Sequence, residues 1–314
     1  MRVTNLMITS RFLDDLNRST QRLDKLNNDV ATGKVLHAPS DDPVRMERSM
    51  TLRSALAQND QYLKNANDGI SWLEATDSAL NDLTSVLQRA RELAVQGSNG
   101  TLDATQRQAI AQEVQQLLEH AVQVGNSKFD NRYLFGGTKT VDPTNAAYEP
   151  FTYNSATPSV TYNGNPLPIS YEVGPGNEVA VNIADGMGTG PIIFGEYSGA
   201  QPTSDGVLPV LQKLVGDLQA NDPAAVSADL GRLDKTIDNL MQARADVGAR
   251  QNRLERTRDR LMELDANFKK LISDTEDADM AQTIMDLQMQ QNVYRAALAT
   301  GARVIPPTLV DFLR

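Results

Sequence analysis

The segment 277–305, DADMAQTIMDLQMQQNVYRAALATGARVI, decides the fold of this chain. The residues that would share one side of a helix follow one another at intervals of three and four, at Met280, Ile284, Leu287, Gln291, Tyr294, Leu298, Gly301 and Ile305. This spacing predicts a helix with a narrow coiled-coil seam. Ser273 and Glu276 have the spacing of a capping box at its start, and Pro306 predicts its end because proline cannot continue a helix. A seam this narrow cannot form a core alone, so it needs a partner helix.

The first 32 residues offer that partner, because they carry a second stripe at the same spacing. Gly33 predicts the end of this helix. We therefore expect the two terminal helices to pair, and their seams to form the assembly interface of the protein. The candidate interface residues are Leu6, Leu13, Leu16, Leu23, Val30, Met280, Ile284, Leu287, Tyr294 and Leu298.

Long helices are predicted between the terminal ones. Asp42 is suited to cap a helix that begins at Pro43 and continues to about Gln96, and a shorter helix is predicted over 103–127. Further helix is predicted from about Gly206 to about Ile272, with a break at 221–223. Both long helices repeat apolar residues every seven positions, at Ala66, Leu73, Leu80, Leu87 and Ala94 and at Leu233, Leu240, Val247, Leu254, Leu261 and Phe268. In the later helix, the second set of seam positions, which lies between these apolar residues, changes from apolar to polar along the chain. This polar column predicts a partly hydrated contact.

The composition changes at Asn131, after which Gly, Pro, Asn, Tyr and Thr dominate until Gln201. Alternating runs over 160–162 and 167–173 flank Asn163-Gly164, which predicts a β-hairpin. Residues 192–194 are a further candidate strand, and the concentrated aromatic residues are best explained as the core of a small sheet. The predicted fold is mainly α, an elongated helical bundle or coiled coil formed by the N- and C-terminal segments, with a small β-rich insert.

This pattern predicts three domains. Residues 1–39 and 273–314 form a terminal coiled-coil domain, 40–137 and 206–272 a long-helix bundle, and 138–205 the β-rich insert. Aromatic residues are only 5% of the chain, which is typical of helical bundles and low for a compact enzyme.

Charge and targeting signals exclude several classes of partner. The net charge of −10 makes nucleic acid an unfavourable ligand. The chain has no cysteine, no apolar run of membrane-spanning length and no secretory signal in its first residues. We expect no membrane insertion, and an export route without a cleaved signal peptide.

Few residues suggest chemistry, so we predict no enzyme activity, no cofactor and no metal site. His37 and His120 lie far apart in sequence and are expected to face solvent. Glu276, Asp277 and Asp279 could bind a divalent cation, but carboxylates at a helix start are the simpler interpretation.

An arginine run and the C-terminal tail remain as candidate contact sites. The run is Arg244, Arg250, Arg253, Arg256, Arg258 and Arg260, interleaved with Asp246, Glu255 and Asp259. It is either a solvated face with cross-helix ion pairs or an intersubunit contact. The apolar tail residues Leu309, Phe312 and Leu313 should dock on a neighbouring protein or a carrier.

Several motifs together resemble the flagellin family. They are SDDP at 40–43, RELAVQG at 91–97, NRYLFGG at 131–137, GARQNRLE at 248–255, EDADMA at 276–281 and PTLVDFL at 307–313. The resemblance covers nearly all of the helical sequence and does not extend to about 140–205. Within the family, the sequence is most similar to the members that join the hook to the filament.

The resemblance implies an extracellular structural role in the bacterial flagellum. A ring of subunits would join a hook-side junction protein of the FlgK type to flagellin, with the terminal helices forming an inner coiled coil. The protein would be exported through the flagellar type III system, and an export chaperone would bind its last helix and tail. A short flagellin is the nearest alternative, and a surface- or glycan-binding module on a helical stalk is another.

Overall fold

A computed structural model of the chain shows a mainly α-helical protein with short antiparallel strands near the middle of the sequence, as predicted. It describes residues 5–141, 148–154, 159–165, 167–183, 193–195, 197–198, 201–202 and 206–304. Within these residues, the helices are α1 (Asn5–Thr32), α2 (Pro43–Gly97), α3 (Ala104–Gly125), α4 (Val207–Gln219), α5 (Pro223–Glu276) and α6 (Met280–Val304).

Polar side chains cap the helix starts. The Asp42 carboxylate accepts hydrogen bonds from the backbone N–H groups of Val44 and Arg45 at 3.1 and 3.0 Å, which confirms the predicted start of α2. Asp103 forms a capping box with Gln106 at the start of α3. Each cap satisfies N–H groups that have no partner inside the helix, so these starts are encoded locally.

The predicted capping box of Ser273 and Glu276 is wrong. Helix α5 continues through both residues, and the Ser273 hydroxyl donates to the Asp277 carboxylate instead. Glu276 cannot reach back to the Ser273 backbone because two cationic side chains hold its carboxylate. The last helix begins at Met280, where Asp279 accepts a hydrogen bond from Ala281 N at 3.0 Å.

The strands form four antiparallel pairs among the described residues. Lys128–Phe129 (β1) pairs with Arg132–Tyr133 (β2), Phe151–Asn154 (β3) with Ser159–Tyr162 (β4), Ser170–Glu172 (β5) with Glu178–Ala180 (β6), and Tyr197–Ser198 (β7) with Gln201–Pro202 (β8). Ile193 and Phe194 are buried but lie in no strand, so the predicted strand over 192–194 is absent from its described residues.

The hairpin predicted around Asn163-Gly164 is wrong, because β4 pairs with the strand before it and β5 with the strand after it. Contacts distant in sequence explain the difference. The Asn165 N–H donates to Gly136 O at 3.2 Å, and the Asn165 carboxamide accepts from the Thr138 N–H at 2.8 Å. These bonds hold the segment against the chain near Gly136, where it cannot act as a hairpin turn.

The chain divides into two compact units, one comprising Met1–Gln58 with Leu264–Arg314 and the other Asn59–Glu263. We call them the terminal unit and the central unit. The predicted heptad positions of the central unit are almost inaccessible to solvent, namely Ala66, Leu73, Leu80, Leu87, Ala94, Leu233, Leu240, Val247, Leu254 and Leu261. The polar column is partly hydrated as expected, since Arg244 is half-buried and its guanidinium contacts Asp77 at 2.9 Å.

Aromatic rings connect the strands to the helices of the central unit. The Phe151 ring lies between those of Phe194 and Tyr162, with centroid distances of 4.6 and 5.0 Å, and Phe135 packs on Phe194 at 4.8 Å. Gly125 ends α3 beneath these rings, where a Cβ atom would come within 2.9 Å of Phe151. The three phenylalanines are buried as predicted, but in the described part of the chain these aromatic residues pack against α3 and separate strand pairs and do not form the core of one small sheet.

Candidate assembly site

The two terminal helices pair within the terminal unit, as the sequence predicts. Gln290 of α6 donates a hydrogen bond to the Ser19 hydroxyl of α1 at 3.0 Å. Farther along α6, Gly301 is buried, and a Cβ atom there would overlap the ring of Phe12. The missing side chain of Gly301 thus allows the ring to approach the helix backbone.

The buried side of α6 is rotated relative to the predicted seam. The positions with reduced exposure lie along one side of the helix, and they are Thr283, Asp286, Leu287, Gln290, Gln291, Tyr294, Ala297 and Gly301. Leu287 and Tyr294 therefore belong to the protected face. Met280, Ile284 and Leu298 stay 40%, 41% and 44% exposed beside it. The pairing within one chain therefore leaves part of the predicted interface in solvent.

Helix α1 shows the same division. Leu16, Leu23 and Val30 are half-buried, whereas Leu13 is 51% exposed. Leu6 lies in α1, but its side chain falls outside the described residues, as do the tail positions Leu309, Phe312 and Leu313. An apolar row also faces solvent on another side of α6, at Met285, Met289 and Val293.

A buried carboxylate at the end of α5 organises the terminal unit. Glu276 is only 3% exposed and accepts hydrogen bonds from Arg53 Nε at 2.6 Å, from Lys34 Nζ at 2.9 Å and from the Ser49 hydroxyl. Arg53 and Ser49 belong to α2, and Lys34 follows α1. One carboxylate thus connects the end of α5 to two segments that lie more than 220 positions earlier in the sequence.

The hydrogen bonds around Glu276 lower its pKa to about 2. The Arg53 guanidinium contributes most, burial opposes the shift by raising the pKa, and Lys34 and Ser49 lower it further. Two cations already satisfy this carboxylate, so it has no free ligand capacity for a divalent cation. Among the described residues, no group of three His, Asp or Glu side chains is arranged to hold a metal ion.

Backbone hydrogen bonds reinforce this junction. Val35 N donates to Glu276 O at 2.8 Å, and Ala278 N donates to Gly33 O at 2.9 Å. Gly33 has a φ of +71°, which a glycine adopts without strain and which confirms the predicted helix end. The end of α1 and the start of α6 are therefore fixed beside each other, which sets the geometry of the terminal pair.

The two histidines lie apart from this junction carboxylate and from each other in sequence. The His37 imidazole is 21% exposed and contacts the Asp29 carboxylate at 2.7 Å, whereas His120 is exposed on α3. In the helices that the structure describes, none has an apolar stretch of the length that crosses a membrane.

Two family models match this chain. The bacterial flagellin N-terminal helical region matches residues 3–140, and the bacterial flagellin C-terminal helical region matches residues 230–313. The matched segments carry α1, α2 and α3 at one end and most of α5 with all of α6 at the other. Both helices of the terminal pair lie inside the matched regions.

Curated relatives match the chain along nearly its whole length. Flagellar hook-associated protein 3 of Escherichia coli is 26% identical and aligns over 95% of both chains. Flagellin of Bacillus subtilis is 28% identical, with complete coverage of both chains.

Solved structures share the fold. Bacillus cereus FlgL is 24% identical with a TM-score of 0.53, over 71% of this chain and 99% of that one. A flagellar hook-associated protein 3 from Legionella pneumophila is 16% identical with a TM-score of 0.57, over 72% of this chain and 99% of that one. The paired terminal helices, the two matching family models and these relatives together establish that the chain belongs to the bacterial flagellin family and is a structural protein of the flagellum.

Proposed function

We propose that this protein joins the flagellar hook to the filament, as a ring of subunits assembled through their terminal helices. The relatives named hook-associated protein 3 support this role among flagellar proteins. In this proposal one face of the ring contacts a hook-side junction protein of the FlgK type and the other contacts flagellin. The protein works by binding its neighbours and has no catalytic role.

The observation that carries the proposal is the incomplete burial of the terminal helices. Leu13, Met280, Ile284 and Leu298 are large apolar side chains at seam positions, and each is at least 40% exposed in the single chain. Burying such side chains is favourable by roughly 25 cal/mol per Å² of apolar surface. Neighbouring subunits in a ring would cover these residues and supply that free energy.

We extend the proposal to export and to domain roles. The chain leaves the cell through the flagellar type III system, and an export chaperone binds Leu309, Phe312 and Leu313 beforehand. The terminal coiled-coil domain (1–39 and 273–314) makes the assembly contacts. The long-helix bundle (40–137 and 206–272) supports it, and the β-rich insert (138–205) is not needed for the terminal seam.

Electron microscopy of cells that lack this gene tests the proposal. We expect intact hooks without filaments, and flagellin released into the medium. Expression of the gene from a plasmid should restore attached filaments. Normal filament attachment in the deletion strain would contradict a junction role.

A short flagellin is the second candidate, because the Bacillus subtilis flagellin aligns with the entire chain. The same deletion separates the two functions. Loss of a filament subunit would shorten or remove filaments without releasing unpolymerised flagellin. Immunogold labelling of wild-type cells gives an independent result, since a junction protein is confined to the hook end and a flagellin is found along the filament.

A further inference from the structure

An arginine-lined groove on the central unit has no role in the terminal pairing. It has a volume of about 580 Å³ and lies between α5 and the turn that joins β5 to β6. Its lining residues are Asn177, Ala249, Asn252, Arg253, Arg256, Thr257 and Arg260. The three arginines recur at intervals of three and four, so they form one row about 10 Å long on α5.

The groove keeps positive charge available in a strongly acidic chain. Arg253 donates to the Asn177 carboxamide at 2.7 Å, which positions its guanidinium without neutralising it. Arg256 and Arg260 are exposed and have no hydrogen bond or ion pair among the residues that the structure describes. By contrast, Arg244, Arg250 and Arg258 of the same helix each contact a carboxylate. Within the arginine run 244–260 of α5, the groove arginines therefore differ from the others in having no carboxylate within ion-pair distance among the described residues.

A row of carboxylates runs beside the groove on the same helix. Glu255, Asp259 and Glu263 recur every four residues. At about 100° per residue this places them on the flank next to the arginine row. Asp259 and Glu263 are exposed. In the ion pair between Asp259 and Arg258, the aspartate side chain is 62% exposed. Water therefore weakens this pair, and Asp259 can exchange Arg258 for another cation.

We propose that the groove binds the carboxylate row of α5 from a second copy of this chain, as a lateral contact between neighbouring subunits. The inference rests on the proposed ring assembly and adds a second contact to it. The two rows have opposite charge, similar length and the same spacing. A guanidinium accepts a carboxylate in bidentate geometry, so the match is directional as well as electrostatic.

The geometry favours a repeating head-to-tail contact. The two rows are different surfaces of one helix, so each copy can use its groove on one side and its carboxylates on the other. Such a heterologous contact continues from copy to copy and closes into a ring when the rotation permits. The contact also places positive charge between subunits that each carry a net charge of −10 and would otherwise repel one another.

The lining favours an acidic protein segment over an acidic sugar. The residues that line the groove include no aromatic ring on which a sugar could stack. They offer guanidinium, carboxamide and hydroxyl groups, which can bind carboxylates and the polar groups of a neighbouring chain.

A charge exchange tests the pairing. The reversed variant carries Arg256→Glu and Arg260→Glu, and the exchanged variant adds Asp259→Arg and Glu263→Arg, which returns the net charge to −10. We expect the reversed variant to reduce filament attachment at least about tenfold, because like charges would face each other. The exchanged variant should restore it. The control, Lys64→Glu with Lys235→Glu, makes the same charge change at two exposed lysines outside the groove and should attach filaments normally.

The inference would be overturned if the reversed variant lost filament attachment and a folded exchanged variant did not recover it. This result would mean that the groove binds another acidic macromolecule. Normal attachment in the reversed variant would overturn it as well. Thermal unfolding of each purified chain establishes that the substitutions leave the fold intact.

Cysteine cross-linking of chains that keep all their natural charged residues gives a second test, because the chain has no cysteine of its own. Cells co-express chains with Asn252→Cys in the groove lining and Met262→Cys beside the carboxylate row, and isolated flagella are treated with a short bismaleimide. We expect a covalent dimer that contains both chains. Attached filaments without this dimer would refute the lateral contact and leave the junction role intact. Attached filaments in cells that lack the gene altogether would refute the junction role itself.

Discussion

The seams of the central and terminal units differ in how completely one chain can bury them. Leu80, Leu87 and Leu254 of the central unit are fully buried, whereas Ile284 and Leu298 of the terminal unit are 41% and 44% exposed. Both sets lie on helices with similar spacing. A seam pattern alone therefore does not predict how completely a residue is buried within one chain.

The two units also use charge differently. In the central unit, Arg244 and Asp77 form a half-exposed pair across helices, which contributes little because water competes with it. In the terminal unit, Glu276 is buried among cations and hydrogen-bond donors. The terminal unit has fewer apolar contacts of its own, so a polar junction holds its helices in position before any neighbour binds.

The largest effect on unfolding is expected from the central seam. Leu80→Ala should lower the free energy of unfolding by about 3 kcal/mol, because it leaves a cavity in a fully buried core. Urea unfolding followed by the fluorescence of Trp72 measures this, since it is the only tryptophan and is buried in the central unit. Leu298→Ala at an exposed terminal position is the control. An equal loss in both variants would contradict the difference between the units.

The second prediction concerns the polar junction of the terminal unit. Glu276→Gln should lower the stability of this unit by about 2 kcal/mol, because Arg53 and Lys34 lose their charged partner. The backbone N–H groups of Val35 and Ala278 should then exchange hydrogen about 30-fold faster. The Trp72 transition should change little.

The pH dependence of this effect has a defined sign. The pKa of Glu276 is lowered to about 2 in the folded chain, so its stabilisation is complete above the ordinary glutamate range near 4.5. The stabilisation is lost as the pH falls from there towards 2. Protection of Val35 and Ala278 should decline over this range in the natural chain more steeply than in Glu276→Gln. Parallel declines would show that another group controls the junction.

The third prediction separates folding from assembly. Leu287→Asp should leave the Trp72 transition near normal, because Leu287 lies on the protected face of α6 in the terminal unit. A carboxylate there either stays charged at a cost or takes up a proton, and both weaken pairing. Filament attachment should be lost and flagellin released into the medium. Gln288→Asp adds the same charge at an exposed neighbouring position and should assemble, whereas filaments on Leu287→Asp would show that this face is not needed.

The helices could be predicted from sequence because their signals are local. Asp42 and Pro43 define the start of α2, and the spacing of Leu73, Leu80 and Leu87 identifies its buried side. The side of α6 that faces α1 was less predictable. Its sequence carries apolar residues on more than one side, and the contacts of Gly301 with Phe12 and of Gln290 with Ser19 show which side pairs.

Residues whose partners are distant in sequence could not be assigned. Glu276 has the spacing of a capping residue, but its partners Ser49 and Arg53 lie more than 220 positions away. Arg107 gave no signal, yet it is 4% exposed and its guanidinium donates to the Asn221 carboxamide, 114 positions away. Periodicity identifies apolar contacts, whereas a buried ion can be recognised only when its partners are known.

The smallest expected effect compares two helical glycines, one in each unit. Gly231 of α5 has open space where a Cβ would lie, so Gly231→Ala should raise stability by about 0.5–1 kcal/mol through helix propensity. Gly301→Ala brings the same gain in propensity but forces a methyl group into the ring of Phe12. We expect a net loss of less than about 1 kcal/mol for the terminal pair, because the half-buried ring can shift at some cost.

Two measurements distinguish the stability gain expected for Gly231→Ala from the loss expected for Gly301→Ala. Urea unfolding with Trp72 fluorescence reports the gain in the central unit, and hydrogen exchange of the α6 backbone reports the loss in the terminal unit. Adding Phe12→Ala to Gly301→Ala removes the overlapping ring. The methyl group should then cost nothing, and the two substitutions should show a favourable coupling in a double-mutant cycle. Independent, additive effects would mean that Phe12 does not pack on Gly301, and the registry of α1 against α6 would have to be shifted.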